Sequence, residues 1–466
     1  LLKSILSVIF ILRLCTTLKI NCTYHLLVFE MGSRKISIII ISLLLFTVCQ
    51  SESKDQHDLS VFGLISAKPV EANTSSNPRA AGGGSNPNQN GGLSQDPFAT
   101  GEISQLTNPN IPIPACANNG ETWTQIPQFG DDVGSLGSSK VDLANGSIRS
   151  IGGYATSLDG LTVGSQMVSE FNPAFQQWNS TPPDMGAARA WHTATLLNND
   201  KIIITGGYGW DENAEAFVYR SSIELFDLNN LNPQWTYGSD MQIARMRHRS
   251  NLLPNGDLLV HGDIQNIDLT KGAEIYNPNT NTWSFTNPVN FLRAAPISVL
   301  LQDGRVFVAG GFGPSKTAEI YDLATNSWTV VAEMNKPRVD HSSVLLANGK
   351  VLVAGGSNPV GNQFHSDMEI YDPNTDQWTT FEMPVSRMNF TMDLLGDGSV
   401  LFLAGRNDAY VVHNLRYFPN TDTWCRMPDL QHKRYGHQSS ILPNGNIFVF
   451  GGSGPNNGLE GSELFQ

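Results

Sequence analysis

The sequence predicts an all-β fold, a seven-bladed β-propeller whose last blade is completed by a strand from the N-terminal side. Three observations carry this. One phrase recurs along the chain, as "LLNNDKIIITGG" (196–207), "LLQDGRVFVAGG" (300–311), "LLANGKVLVAGG" (345–356) and "ILPNGNIFVFGG" (441–452). A tryptophan follows each copy except the last, at intervals of 45–57 residues. The 466 residues include 43 Gly and 25 Pro with only 15% charged residues, the composition of a turn-rich β protein.

Each repeat reads as four strands. The phrase is a hairpin centred on Asn145-Gly146, Asn199-Asp200, Asn255-Gly256, Asp303-Gly304, Asn348-Gly349, Asp397-Gly398 or Asn444-Gly445. Asn-Gly and Asp-Gly between apolar runs predict tight two-residue type I′ turns. The second strand ends in small residues, such as Gly206-Gly207, Gly310-Gly311 and Gly355-Gly356, where backbones can approach closely. A third strand follows ("AEIYDLAT", 318–325), and then a fourth carrying Trp178, Trp235, Trp283, Trp328, Trp378 or Trp424. Four strands per repeat at this period imply radially arranged blades. The seventh repeat runs out at "SELFQ", after its third strand. Its missing fourth strand is expected from "NGETWTQIPQF" (119–129), with Trp123 in the repeated tryptophan position.

Four segments are expected in all. Residues 1–30 read as an upstream extension ahead of a start at Met31, and 31–51 as a secretory signal with a basic start and an apolar core. The apolar run from Ile36 to Val48 is too short to span a membrane. Cys49 closes it, either as a lipidation site or just ahead of ordinary cleavage near Ser51. Lipidation there is the one route to membrane attachment the sequence suggests, and the location expected is extracytoplasmic. Residues 52–115, rich in Gly, Asn, Ser and Pro, read as a disordered linker, and 116–466 as the propeller. A net charge of −13 repels phosphate backbones and argues against nucleic-acid binding.

The succession Arg, His, apolar hairpin, Gly-Gly, Glu-x-Tyr-Asp and Trp resembles the kelch repeat. "RVDHSSVLLANGKVLVAGG…MEIYDPNTDQW" (338–378) is its fullest copy, and the resemblance extends over about 119–466. Together with the signal pattern at 31–51, the expectation is an exported bacterial kelch propeller acting as a binding module that takes a protein or glycan ligand at one mouth of the ring, with no cofactor or metal. The alternative the resemblance implies is an extracytoplasmic carbohydrate-active enzyme, mutarotase-like or a copper radical oxidase. The oxidase requires a Tyr–Cys crosslink and two His ligands. Only Cys116 and Cys425 lie in the propeller, and Cys425 is expected on an outer rim.

Three sets of residues stand out. Arg189, Arg245, Arg293, Arg338, Arg387 and Arg434 precede the first strand of six blades. Either they ring the axis and bind carboxylates, as in kelch-like adaptors, or they pair within the blades with Glu224, Glu274, Glu319 and Glu369. His192, His248, His341 and His437 read as structural hydrogen-bonding groups. The second set lies where the repeat breaks its pattern: Asp263 and Arg406 stand in place of a second glycine. The longest mouth loop (208–222) adds Trp210, Asp211 and Glu212, and surface drift is the alternative reading for all of these. The third set is Cys116 and Cys425, which form either a disulfide pinning the closing strand or two free thiols.

Overall fold

The computed structural model describes residues 21–23, 48–50, 108–117, 120–127, 136–156, 162–179, 182–211, 214–262, 268–361, 363–455 and 461–466. The chain divides into two compact units, Leu1–Asn90 and Gly91–Gln466. In the first, Asn21–Thr23 pairs with Val48–Gln50, with Cys22 opposite Cys49. Most of the expected upstream extension, signal segment and linker lies outside the described residues.

The second unit is a propeller of seven four-stranded antiparallel sheets. The first strands are Ser139–Asp142, Thr193–Leu196, Arg249–Leu252, Ile297–Leu300, Ser342–Leu345, Thr391–Leu394 and Gln438–Ile441, for blades 1 to 7. Each touches the first strand of the next blade, and that of blade 7 touches that of blade 1, so the ring is closed around a central channel. The second strands, such as Val351–Ala354, Val400–Leu403 and Ile447–Phe450, are buried at every residue. Each lies between two blade faces, which is why these runs are apolar throughout rather than alternating.

Blade 7 is composite. Trp123–Ile126 pairs antiparallel with Ser462–Phe465, placing Trp123 opposite Phe465. Ring closure by a distant strand leaves no unpaired edge at the chain's two ends.

The tryptophans work in two ways. Each packs on the aromatic residue opposite it on the third strand, with centroids 5.0 Å apart in Tyr276–Trp283, Tyr321–Trp328 and Tyr371–Trp378 and 5.1 Å in Trp123–Phe465. Indole N–H groups also donate to the preceding blade: Trp235 to the Pro183 carbonyl, Trp283 to Ser239, Trp378 to Ala332 and Trp123 to Pro428, at 2.7–2.8 Å. A large aromatic with one polar edge both fills a blade and ties it to its neighbour.

The hairpin turns differ from the two-residue form expected. In the first, Leu143 N–H bonds Ser147 O and Gly146 N–H bonds Leu143 O, and only the glycine has positive φ (84°). These are three-residue loops ending in a bulge at a left-handed residue, a glycine except in blade 2, where Asp200 (φ 57°) takes its place. The Asn or Asp before the glycine decides the geometry: its side chain accepts from the N–H two residues on, as Asn145 does from Ser147 at 2.9 Å and Asn348 from Lys350 at 3.1 Å.

The chain is ordered earlier than the expected linker boundary. Asn108 N–H bonds the Pro384 carbonyl, and Ile111 and Ile113 pack on the core cluster shared by blades 5 and 6. Cys116 N–H bonds Arg426 O, and Arg426 N–H bonds Pro114 O, adding a short parallel edge outside blade 6. Residues 108–115 therefore form a strap on the propeller, because two isoleucines in a Pro- and Asn-rich stretch suffice to anchor it. At its end Cys116 and Cys425 are bonded, with Cα atoms 4.9 Å apart and 309 positions between them.

Candidate functional site

The six arginines are architectural. Arg189, Arg245, Arg293, Arg338, Arg387 and Arg434 are all buried inside their blades, which removes the binding-rim reading and leaves internal pairing. Arg189 donates to the carbonyls of Gly206 (2.8 Å) and Ser222 (2.9 Å) and to Glu224 (2.8 Å). Arg434 repeats this with Gly451, Gly461 and Glu463. The same carboxylates cap the entering loops: Glu224 accepts from the N–H groups of Gly186 and Ala187, and Glu463 from those of Gln431 and His432. A buried charge pair held by backbone groups on both sides fixes where blades 2, 3, 4, 5 and 7 begin.

The arginine backbone joins blades as well. Gly153, Gly207, Gly311, Gly356 and Gly405 donate their N–H groups to the carbonyls of Arg189, Arg245, Arg338, Arg387 and Arg434, each in the next blade. A Cβ on Gly355 would lie 2.3 Å from the Arg387 carbonyl oxygen, so glycine is required there. Counting six residues from the turn glycine shows that blade 6 replaces its first glycine, with Ala404 (φ 46°), and keeps the second as Gly405. Arg406 is therefore the residue after the pair, equivalent to Ser357 and Phe312, and the expectation that it stands for a glycine is off by one. Asp263 does stand at the second glycine of blade 3, but it and Glu212 lie outside the described residues.

Blade 6 departs again at the carboxylate. Leu415 occupies the position of Glu369, and Arg387 donates to the carbonyls of Ala404 and His413 with no carboxylate partner. Burial pulls its guanidinium down to about 9. The repeat histidines are buried too. Burial and the neighbouring arginines hold His192 and His437 at about 3 and keep His248 and His341 well below their usual value. They are neutral packing groups under the glycines.

The mouth is built by the residue two past each blade arginine, and by its counterpart Gly137 in blade 1. The seven are Gly137, Trp191, Arg247, Ala295, Asp340, Asn389 and Gly436, all left-handed, with φ between 49° and 79°. Around most of the ring these residues bond one to the next through the backbone: Trp191 N–H to Gly137 O, Arg247 to Trp191, Ala295 to Arg247, Asn389 to Asp340 and Gly436 to Asn389. The backbone belt repeats while the side chains differ. They line a cavity of about 430 Å³ together with Lys140, Arg249 and Gln438.

Three guanidiniums here contrast with the six in the blades. Arg247 makes no side-chain hydrogen bond to a described residue and stacks over Trp191 at 4.1 Å. Arg249 makes one, from Nε to the Pro296 carbonyl at 2.8 Å. Arg406 stacks over Tyr435 at 4.8 Å beside a hollow of about 160 Å³, and its buried Nε has no partner. Arg247 and Arg249 share the cavity with Asp340, and Arg406 lines the separate hollow; the Asp340 carboxyl is raised by burial and drawn back down by Arg247, Arg406 and Arg249. No ion pair closes between them.

One side of the mouth is aromatic. Blade 1 sends up the ribbon Tyr154–Thr156/Thr162–Gly164, and blade 2 sends up Tyr208–Asp211/Ala216–Tyr219. Tyr154 Oη accepts from the Trp191 indole at 2.7 Å. Trp210 is 42% exposed and meets Phe217 edge-on. Asp211 is spent on Arg220 (3.4 Å) and the Ala214 N–H, holding the ribbon in shape. The residues missed from sequence are Arg247, Arg249 and Asp340. Arg247 and Asp340 stand two past a repeat arginine and Arg249 four past, positions where the repeat keeps no residue type.

These features define a class: a closed seven-bladed propeller whose repeat arginines are buried within the blades and whose mouth carries Arg247, Arg249 and Asp340 without ion pairs among the described residues. The chain carries kelch motifs on this frame, the kelch motif model matching residues 293–335 and 338–381. Kelch-like protein 35 of Mus musculus is 25% identical over 147 residues, 31% of this chain and 22% of that protein. tRNA wybutosine-synthesizing protein 4 of Candida albicans is 24% identical over 127 residues, 27% of this chain and 17% of that one. The aligned region thus spans about a fifth of the length of these relatives. Among solved structures, a fungal alcohol oxidase of the AA5 family in complex with copper superposes with a TM-score of 0.60 at 17% identity, covering 75% of this chain and 76% of the oxidase. That likeness is one of fold. The residues here do not fit a Tyr–Cys copper centre: Cys116 and Cys425 are consumed by their mutual bond outside blade 6, and the repeat histidines are packed beneath glycines.

Proposed function

We infer that the protein is an exported kelch-propeller binding module and that its ligand, carried by a protein or a glycan, presents an anionic group to the channel mouth. One observation carries this: Arg247 and Arg249 hold unspent donors in a 430 Å³ cavity, and Arg406 holds one at a separate hollow of about 160 Å³, in a chain of net charge −13. Guanidiniums propped on aromatic rings, as Arg247 and Arg406 are, or on a backbone carbonyl, as Arg249 is, are preorganised for a carboxylate or sulfate. Rigid aromatic ribbons beside them supply contact area at low entropic cost. Export rests on the signal-like stretch at 31–51 and on the propeller disulfide. The test is a screen of acidic peptides and anionic oligosaccharides against the full chain, followed by titration of the hits. Arg247→Ala should weaken binding at least tenfold while leaving the thermal midpoint unchanged. Undiminished binding by that variant refutes the mouth as the site.

A further inference from the structure

We propose that Asp340 is the selecting residue of the mouth and makes it take a peptide segment in which a cationic side chain sits beside an acidic one. The acid goes to Arg247, Arg249 and Arg406, and the cation goes to Asp340. This rests on the reading of the mouth as a binding site.

The blades have no use for Asp340. Its six equivalents are Gly137, Trp191, Arg247, Ala295, Asn389 and Gly436, so no carboxylate is needed to build the ring. Its side chain makes no hydrogen bond or ion pair with any described residue. Three cations within electrostatic reach would ordinarily collapse onto it, and each is held back: Arg247 by the Trp191 face, Arg249 by the Pro296 carbonyl, Arg406 by the Tyr435 face. Arg247 and Arg249 thus share one open cavity with Asp340 without meeting it, and Arg406 acts on it from the separate hollow. An unpaired carboxylate in a ligand cavity costs affinity for every ligand that leaves it unpaired. A simple polyanion satisfies the arginines and is repelled by Asp340. A ligand carrying both signs satisfies both walls. Acidic polysaccharides bring anions and neutral hydroxyls, whereas neighbouring acid and ammonium or guanidinium groups are a property of peptides.

The experiment uses an array of heptapeptides with every adjacent pairing of Glu or Asp with Lys, Arg or Ser, probed with the full chain and with Asp340→Asn. Asparagine tolerates the left-handed backbone, and an unchanged thermal midpoint verifies the fold. Titration of the best mixed-charge and best all-acidic peptides follows. Wild type should prefer the mixed-charge peptide by about tenfold, and Asp340→Asn should lose or invert that preference while binding the acidic peptide more tightly. An unaltered preference in Asp340→Asn overturns the selecting role even if Arg247→Ala abolishes binding of both peptides. Sensitivity to Arg247→Ala seen only with a sulfated oligosaccharide keeps the mouth as the site and overturns the peptide assignment. Failure of every anionic probe overturns the mouth reading and this inference together.

Discussion

Removing the Cys116–Cys425 bond, by Cys116→Ser with Cys425→Ser, should cost stability through the unfolded chain rather than through lost native contacts. The bond closes a loop of 309 positions. In the chain-entropy model such a loop restricts the unfolded ensemble by about 5.7 kcal/mol at 25 °C, an upper bound because the unfolded ring retains some compactness. Most native interactions nearby survive the substitution. Ile111 and Ile113 remain packed, and the Cys116 N–H still bonds Arg426 O. At a urea slope of about 3 kcal/mol/M the unfolding midpoint should fall by about 2 M, and the slope itself should rise because the freed chain exposes more surface. Urea titrations of wild type, wild type with reductant and the double variant measure both quantities. Reductant should reproduce the variant's curve. Coincident midpoints across all three refute the argument and assign closure to the sheet pairing of Trp123–Ile126 alone.

Three further outcomes follow from the blades. Glu274→Gln should destabilise by about 3 kcal/mol or more, since Arg245 pairs with Glu274 at 3.1 Å, whereas Glu369→Gln should cost less because Asp367 also holds Arg338 at 2.7 Å; chemical denaturation of the two variants tests the order. Gly355→Ala should destabilise by roughly 2 kcal/mol or more, read as a lowered thermal midpoint, because its Cβ meets a carbonyl oxygen in the next blade. Acid should weaken the fold below about pH 6.5: the buried histidines have depressed folded values, about 3 for His192, His261 and His437, while the unfolded chain takes up protons. Their contribution is complete above pH 6.5 and is lost toward pH 3, at up to about 1.4 kcal/mol per pH unit for each histidine. Carboxyls raised by burial, such as Asp340 and Asp393, act in the opposite sense. Hydrogen exchange or denaturation between pH 7 and 4 should show stability falling with pH, and a flat profile contradicts the neutral-histidine packing.

The repeat made the fold readable because propeller energetics are periodic: the same glycine, tryptophan and arginine solve the same contact in blade after blade. Even the composite blade was legible, since Trp123 stands without a hairpin before it and "SELFQ" ends without a tryptophan. The site was less so, for the same reason. Recurrent arginines attract attention, yet recurrence here marks framework, and all six are buried. Arg247, Arg249 and Asp340 sit where the backbone repeats and the side chain is free to vary, so no pattern points to them. The misplaced glycine of blade 6 shows how a one-residue shift hides in a Gly-rich strand end. Ala404 adopts the left-handed turn at the first position, and only the pairing of Val400 with Tyr417 fixes the count. The strap was missed because its two anchoring isoleucines are diluted among loop-forming residues.

The composite seventh blade also sets an order of events during synthesis. Trp123 emerges long before its partner Phe465, and at typical rates of translation about 20–70 s separate them. Blades 1 to 6 can assemble from local hairpins in that interval, while the strand at Trp123–Ile126 waits with an uncovered backbone edge and an unburied indole. Until the final few residues arrive the molecule is an open arc with two matching ends. A second nascent chain offers the same pair of ends, so crowded synthesis favours exchange of the first strand between neighbours, and the strap bonded at Cys116 is what keeps that strand beside its own blade 6.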